Sequence, residues 1–203
     1  MDITIRQIEK KDFNKARKFA IDGMNLSWYT SNDIELYIYS KYFWYLEISR
    51  ATRALGAYSD NELIGVLLID MKNKPKLFTS LWKKIFITAI HFFINLGYRN
   101  ASSTYDNANK QMLSEFEKEN QPDGELNFFA VNPNIKGHGI GTLLLNELER
   151  LEKGKLIYLY TDTGSTYQFY LHRNFIESGR RETSLKIHKN ELPLTCFLFS
   201  KRL

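Results

Sequence analysis

Apolar and polar positions change period several times along the chain, and each change marks an element. Residues Ile3 to Ile8 alternate as a half-buried strand does. From Asp12, which suits a helix cap, Phe13, Ala16, Phe19, Ala20 and Met24 recur at helical spacing towards Leu26. Ser31-Asn32-Asp33 offers a second cap, and a very aromatic helix runs from there towards Ser49. ALGAYSD, a turn at Asp60-Asn61 and LIGVLLIDMK together read as a β-hairpin.

After Lys74-Pro75 the pattern shifts. Leu77 to Leu96 reads as a helix that is apolar almost all round and is stopped by Gly97. Asn107 to Asn120 reads as a more polar helix with Met112, Leu113 and Phe116 on its apolar side. Pro122-Asp123-Gly124 is a turn, and Leu126 to Asn132 is a strongly apolar strand. A loop with Pro133 and a cluster of glycines follow, then a helix from Gly139 to Lys153 striped by Ile140, Leu144, Leu148 and Leu151. KLIYLYTD is a strand, Ser165 to Arg173 a short helix, and the strands Phe175–Arg181 and Thr195–Ser200 close the chain. Strands and helices mix without strict βαβ repetition, which predicts an α/β (α+β) sheet domain. Nothing marks a linker. The expectation is one domain over 1–203 with a helical insertion at about 74–123.

Composition narrows the classes. Of 203 residues, 43% are apolar and 25% charged, outside the disordered range. The single cysteine, Cys196, excludes a disulfide-built scaffold and reads as core, and with the four histidines it shows no metal-ligand spacing, so no metal is expected. The net charge of +5 favours an anionic ligand, but without a clustered basic face it does not argue for nucleic acid. Within Leu77–Leu96, Lys83, Lys84 and His91 leave only Ile85–Ile90 and Phe92–Ile94 uncharged, short of the roughly 20 residues of a membrane span. A buried or interfacial helix is expected instead. The opening MDITIRQIEKKD has no apolar run of the signal-peptide kind, so a cytoplasmic location is expected.

Gly137, Gly139 and Gly141 fall within five residues, between an apolar strand and an amphipathic helix. Such a turn presents backbone N–H groups at a helix N-terminus, where the dipole and the orphan donors favour phosphate. Three phosphate loops compete with a plain glycine turn. A Walker loop needs Lys-Ser/Thr after the last glycine, where Thr142-Leu143 stand. A Rossmann fingerprint needs a third glycine where Thr142 stands, and NPNIK separates strand from turn, although Asp162 ends the next strand where a ribose-binding acid belongs.

The third reading rests on a resemblance. LNFFAVNPNIKGHGIGTLLLNELE resembles the acetyl-CoA-binding stretch of the GNAT superfamily of N-acetyltransferases, a strand leading into Arg/Gln-x-x-Gly-x-Gly/Ala and a helix. Gly139 and Gly141 match the two glycines, and Lys136 stands where Arg or Gln is usual. STYQFYLHRNF resembles the family's later apolar-Tyr-x-x-x-Gly-Phe, with Tyr170 and Phe175 in place. Asn174 replaces the glycine, a substitution the left-handed backbone tolerates. Thr163 replaces a frequent Asn, and the Lys74–Asp123 insertion has no counterpart.

The resemblance implies a central mixed, mostly antiparallel sheet flanked by helices, with the insertion between the third and fourth strands. It implies acetyl-CoA as co-substrate. The backbone of Gly137, His138, Gly139, Ile140, Gly141 and Thr142 would hold the pyrophosphate beside Lys136. Phe129, Ala130 and Val131 would pair with the pantetheine arm, and the Val131 N–H would polarise the thioester. Tyr170 is the implied general acid. Glu125, six residues before Val131, is either a general base or a solvated carboxylate at a strand start. The acceptor would be an amine on a small molecule or peptide, walled by the first two helices and their aromatic run (Trp28, Tyr29, Tyr37, Tyr39, Tyr42, Phe43, Trp44, Tyr45), which also reads as core. The inserted helices would cover the acceptor side or form a homodimer contact. A catalytically weak acyl-CoA sensor or partner-binding module of the same fold is the alternative.

Overall fold

In the computed structural model, residues 1–97, 101–135, 137–187 and 190–203 are described, and Lys136 lies outside them. β1 (Thr4–Gln7) leads through a short 3-10 turn into α1 (Phe13–Gly23), then α2 (Asp33–Arg50), β2 (Arg53–Ser59) and β3 (Glu62–Met71). The helices α3 (Leu81–Gly97) and α4 (Ala101–Glu119) lie between β3 and β4 (Gly124–Val131). After α5 (Ile140–Leu151) come β5 (Leu156–Asp162), α6 (Gln168–Leu171), β6 (Ile176–Ile187) and β7 (Asn190–Arg202). The fold is mixed α/β, with a seven-stranded, mostly antiparallel sheet in the order β1-β2-β3-β4-β5-β7-β6. The pairs β1–β2, β2–β3, β5–β7 and β6–β7 are antiparallel, and β4–β5 is parallel.

Local chemistry sets the element ends. Asn32 Oδ1 accepts the Glu35 N–H at 3.0 Å, and Glu35 Oε2 accepts the Ser31 N–H at 2.8 Å, so α2 starts on a reciprocal cap. Asp60 and Asn61 turn the β2–β3 hairpin with φ of 50° and 62°, the left-handed pair that matches strand twist. Asp12 does not cap α1 through its side chain. Its carboxylate instead accepts the Tyr58 hydroxyl at 2.8 Å, and burial, with this contact, pushes the Tyr58 phenol up to about 12. The helix α4 starts six residues before the expected Asn107, because ASSTYD is polar and carries no apolar period to mark it. The hairpin strands β6 and β7 are 12 and 13 residues long and pair with each other from Ile176–Ser200 out to Ile187–Asn190.

The chain divides into two compact units, Met1–Ile87 with Leu126–Lys153 and Leu203, and Thr88–Glu125 with Gly154–Arg202. In the first, β2 and β3 are buried along almost their whole length. One core forms from Ala16, Phe19 and Ala20 of α1, Trp44 and Ile48 of α2, and Val66, Leu68, Phe128 and Ala130 of the strands. Trp44 stands edge-on to Phe128 at 5.3 Å and to Phe13 at 5.4 Å. The amphipathic α5 packs on β2 and β3. A Cβ at Gly65 would lie 2.9 Å from Ile140 Cγ2 and 3.1 Å from Leu144 Cδ1, so glycine there admits the helix's first turns.

In the second unit α4 packs on β6 and β7. Ala108, Met112 and Phe116 bury against Tyr158, Cys196 and Leu198. Cys196 is core, its thiol pushed up to about 12, first by burial and then by Asp162 and Glu182. A Cβ at Gly179 would come within 3.0 Å of Met112 Cβ. The apolar α3 is not buried as a whole, since Leu81, Trp82, Ile85, His91 and Phe92 are exposed. Among the described residues no helix is long and apolar enough to cross a membrane.

The far end of α5 is tied by charge. Glu152 is buried, and its carboxylate accepts from Arg53 Nε and Nη2 at 2.9 and 2.8 Å and from Lys74 Nζ at 2.7 Å. Burial alone would raise this carboxyl, but the bonds from Lys74 and Arg53 outweigh it and hold it below its ordinary 4.5. Glu152→Ala strands two cations and is expected to cost about 2 kcal/mol of unfolding free energy in a denaturant titration. The native contribution is fully present above pH 4.5 and lost as pH falls through the lowered folded value, so the wild-type advantage should shrink in acid.

Candidate active site

Alternation along β4 sorts the candidates on it. Glu125, Asn127, Phe129 and Val131 are partly exposed, whereas Gly124, Leu126, Phe128 and Ala130 are buried. Ala130 packs into the core of the first unit and offers a ligand only its main chain. The strand then breaks into a turn organised by Asn132. Its N–H donates to the Ile64 carbonyl at 2.9 Å, its carbonyl accepts the Ile135 N–H at 3.1 Å, and its Oδ1 accepts the Asn134 N–H at 3.0 Å.

Beyond it Gly137 and Gly139 have φ of +81° and +66°, with nothing within 4 Å of a Cβ at either. Glycine is required here by the backbone rather than by crowding. Gly137, His138 and Gly139 are exposed, Ile140 and Gly141 buried, and Thr142 partly exposed. Gly139 is the N-cap of α5, and no side chain caps the helix. The first bond of the helix runs from the Leu143 N–H to the Gly139 carbonyl at 3.0 Å, so the amides ahead of it belong to the turn that opens the helix. This arrangement fits a pyrophosphate, which needs convergent main-chain donors and no intruding side chain.

In the second unit Tyr170 is held by a complete helix stop. The Phe175 N–H donates to the Tyr170 carbonyl at 3.1 Å and the Asn174 N–H to the Leu171 carbonyl at 3.2 Å. Asn174 has φ of 61°. These are the two bonds and the left-handed residue of a Schellman motif, and the expected apolar contact is present as the Tyr170 and Phe175 rings, 5.5 Å apart and edge-on. Phe169 and Phe199 stand 5.4 and 6.2 Å from the same ring. Desolvation raises the Tyr170 phenol well above its ordinary 10.0, which extends the neutral form further into the alkaline range.

Glu125 is the second residue of β4, opposite Tyr158 on β5, and its Oε2 accepts the Tyr158 hydroxyl at 3.4 Å. Thr163, where the family often has Asn, bonds the main chain of β7: its Oγ1 accepts the Thr195 N–H at 3.1 Å. Asp162 accepts from the Tyr105 hydroxyl at 3.0 Å and the Gly164 N–H at 2.8 Å, a structural use that leaves the Rossmann reading without its acid. Among the described residues no group of three or more His, Cys, Asp or Glu could hold a metal ion.

The sequence model of the acetyltransferase (GNAT) family matches residues 17–175. The chain belongs to the GNAT family. Solved structures agree in fold. An acetyltransferase from Corynebacterium glutamicum ATCC 13032, described as histone acetyltransferase HPA2 and related acetyltransferase, gives a TM-score of 0.59 at 16% identity, over 100% of this chain and 97% of that one. Arabidopsis thaliana Naa50, in complex with the bisubstrate analogue CoA-Ac-MVNAL, gives 0.56 at 13% identity, with both chains covered to 100%. PaiA N-acetyltransferase from Thermoplasma acidophilum, in complex with coenzyme A, gives 0.53 at 16% identity, again with 100% of both chains covered. At these identities the likeness is one of fold. No curated protein matches the sequence.

Within this GNAT domain the sequence reading passed over Glu47. It is buried on α2, and its Oε2 and carbonyl accept Asn127 Nδ2 at 2.6 and 3.1 Å, clamping the helix to β4 two residues before Phe129. The available signal was the one carboxylate beyond the first turn of a strongly aromatic helix. In the aromatic run Trp44 is buried and Tyr37 exposed, and the side chains of Trp28 and Tyr29 lie outside the described residues. The stop behind Tyr170 makes a direct prediction: Asn174→Gly should leave stability nearly unchanged, whereas Asn174→Val should cost about 1–2 kcal/mol by thermal denaturation, because a β-branched residue resists the left-handed backbone.

Proposed function

We propose that the chain is an acetyl-CoA-dependent N-acetyltransferase that moves an acetyl group directly to a primary amine of a small molecule or peptide. The observation that carries this reading is Tyr170, a partly buried tyrosine at the family's motif position, ringed by phenylalanines and held by the Schellman stop. A neutral phenol is what a departing thiolate needs as proton donor. Acetyl-CoA, when bound, supplies the acetyl group as its thioester and leaves as the coenzyme A thiol.

The chain's own residues would do the rest. The amides from Gly137 to Thr142 and the charge of Lys136 would hold the pyrophosphate, and the positive-φ glycines support that role. The main chain of Phe129, Ala130 and Val131 would align the pantetheine arm, and the Val131 N–H would donate to the oxyanion as it forms. Glu125 would take the proton of the attacking amine, directly or through water.

A thermal shift tests the co-substrate: acetyl-CoA should raise the melting temperature and NAD should not, and the reverse result would sink the reading. Acetyl-CoA turnover over an amine panel tests the activity, and binding without turnover would instead make the chain an acyl-CoA sensor. Tyr170→Phe should lower kcat by about 100-fold with little change in acetyl-CoA affinity, as loss of a general acid does. An unchanged kcat would remove Tyr170 from the chemistry. Because its phenol is raised above 10.0, the wild-type rate should not fall through loss of this proton until the pH exceeds that value.

A further inference from the structure

We propose that the cavity bounded by α1, α2 and the start of α3 binds a small aromatic carboxylate, at a site separate from that of acetyl-CoA. The cavity holds about 350 Å³ and lies wholly within the first unit. Lys10, Arg17, Lys41 and Lys83 line it, and no Asp or Glu does. The residues of the glycine turn are not among its lining.

Arg17 is the anchor. It is 8% exposed, its Nη1 donates to Ser40 Oγ at 2.7 Å, and its Nε has no partner. Among the described residues no carboxylate pairs with this guanidinium or with the other three cations, and Arg17 is offset only by the face of Tyr37, 4.9 Å away. A buried charge without a counter-ion is costly, so the arrangement is complete only with an anion. The lysines point to the same conclusion. Lys83 Nζ sits 5.1 Å from the Phe13 ring and 5.6 Å from Tyr45, and Lys41 Nζ 5.8 Å from Tyr45, so ring faces stand in for the missing negative charge. Burial, and then the charge of Lys10, lowers the Lys83 ammonium. Trp44, 1% exposed on the same wall, adds a second unpartnered donor in Nε1.

Ligand shape follows from the walls. Phe13, Trp44 and Phe78 form an edge-to-face set, with Phe13 5.4 Å from Trp44 and 5.1 Å from Phe78, which suits the body of one aromatic ring. The volume is near the lower limit of about 300 Å³ for ligand pockets, enough for one ring and a carboxylate and too small for a coenzyme. An ammonium would be repelled by four cations, so the occupant is not the acceptor amine. The inference therefore stands apart from the acetyl-transfer reading.

The test uses the full chain saturated with CoA and titrated calorimetrically with phenylacetate, 2-phenylethanol and 2-phenylethylamine. Phenylacetate should bind about tenfold or more tightly than 2-phenylethanol, and 2-phenylethylamine should be the weakest. Lys41→Met and Lys83→Met should each weaken phenylacetate by about tenfold while leaving CoA affinity unchanged. Arg17→Met should abolish binding, and the two lysine variants keep the test decisive where that variant is unstable. Absence of phenylacetate binding, parity with 2-phenylethanol, competition by CoA, or insensitivity to both lysine changes would each overturn the proposal.

Discussion

The distance between α5 and β3 governs what the first unit can present to a ligand. That distance is set at Gly65, where any side chain would meet Ile140 and Leu144 at 2.9 and 3.1 Å. The same two residues are the first turns of α5, directly after the glycine turn, so the close approach fixes where the turn's amides lie. At the opposite end Glu152 receives Arg53 and Lys74. The helix is thus seated by absence of bulk at its start and by charge at its finish. Its apolar stripe fills the interval between the two, and close-packed interiors make such a position a discrete one.

Tyr170 follows similar logic with different means. It sits on a four-residue helix, too short to be stable by its own hydrogen bonds. Its orientation is imposed from outside: two bonds of the helix stop, the left-handed Asn174, and three phenylalanine rings around the phenol ring. The same packing partly withdraws the phenol from water and raises its ionisation further above 10.0, so position and the pH range of the neutral form share one physical cause, packing among aromatics.

What the sequence disclosed and what it concealed divide along the range of the interactions. The hairpin at Asp60-Asn61, the alternation of β4, the glycine turn and the tolerance of Asn174 for positive φ are local properties, legible from neighbours a few positions away. Resemblance to the GNAT family added the fold and the arrangement of the sheet, which local pattern alone left between α/β and α+β. Concealed were features made by residues far apart in the chain. Asp12 carried the signature of a cap, but a tyrosine 46 positions away took its carboxylate. Nothing near Glu152 in the chain marks it, because the Arg53 and Lys74 that close on it lie 99 and 78 positions away. The four cations of the α1–α2 cavity come from three segments with no shared motif, and only the fold gathers them.

The seating of Met112 against Gly179 carries a consequence for how the inserted segment can vary. A Cβ at Gly179 would stand 3.0 Å from that of Met112, and Met112 shares its cluster with Tyr158, Cys196 and Leu198 from two strands. Helix α4 is therefore wedged into the interior of the second unit and is no detachable ornament on it. Trimming it away would unroof the strand pair it covers, and residue 179 is bound to stay small whatever apolar side chain stands at 112, because the obstacle is the Cβ that every residue but glycine carries.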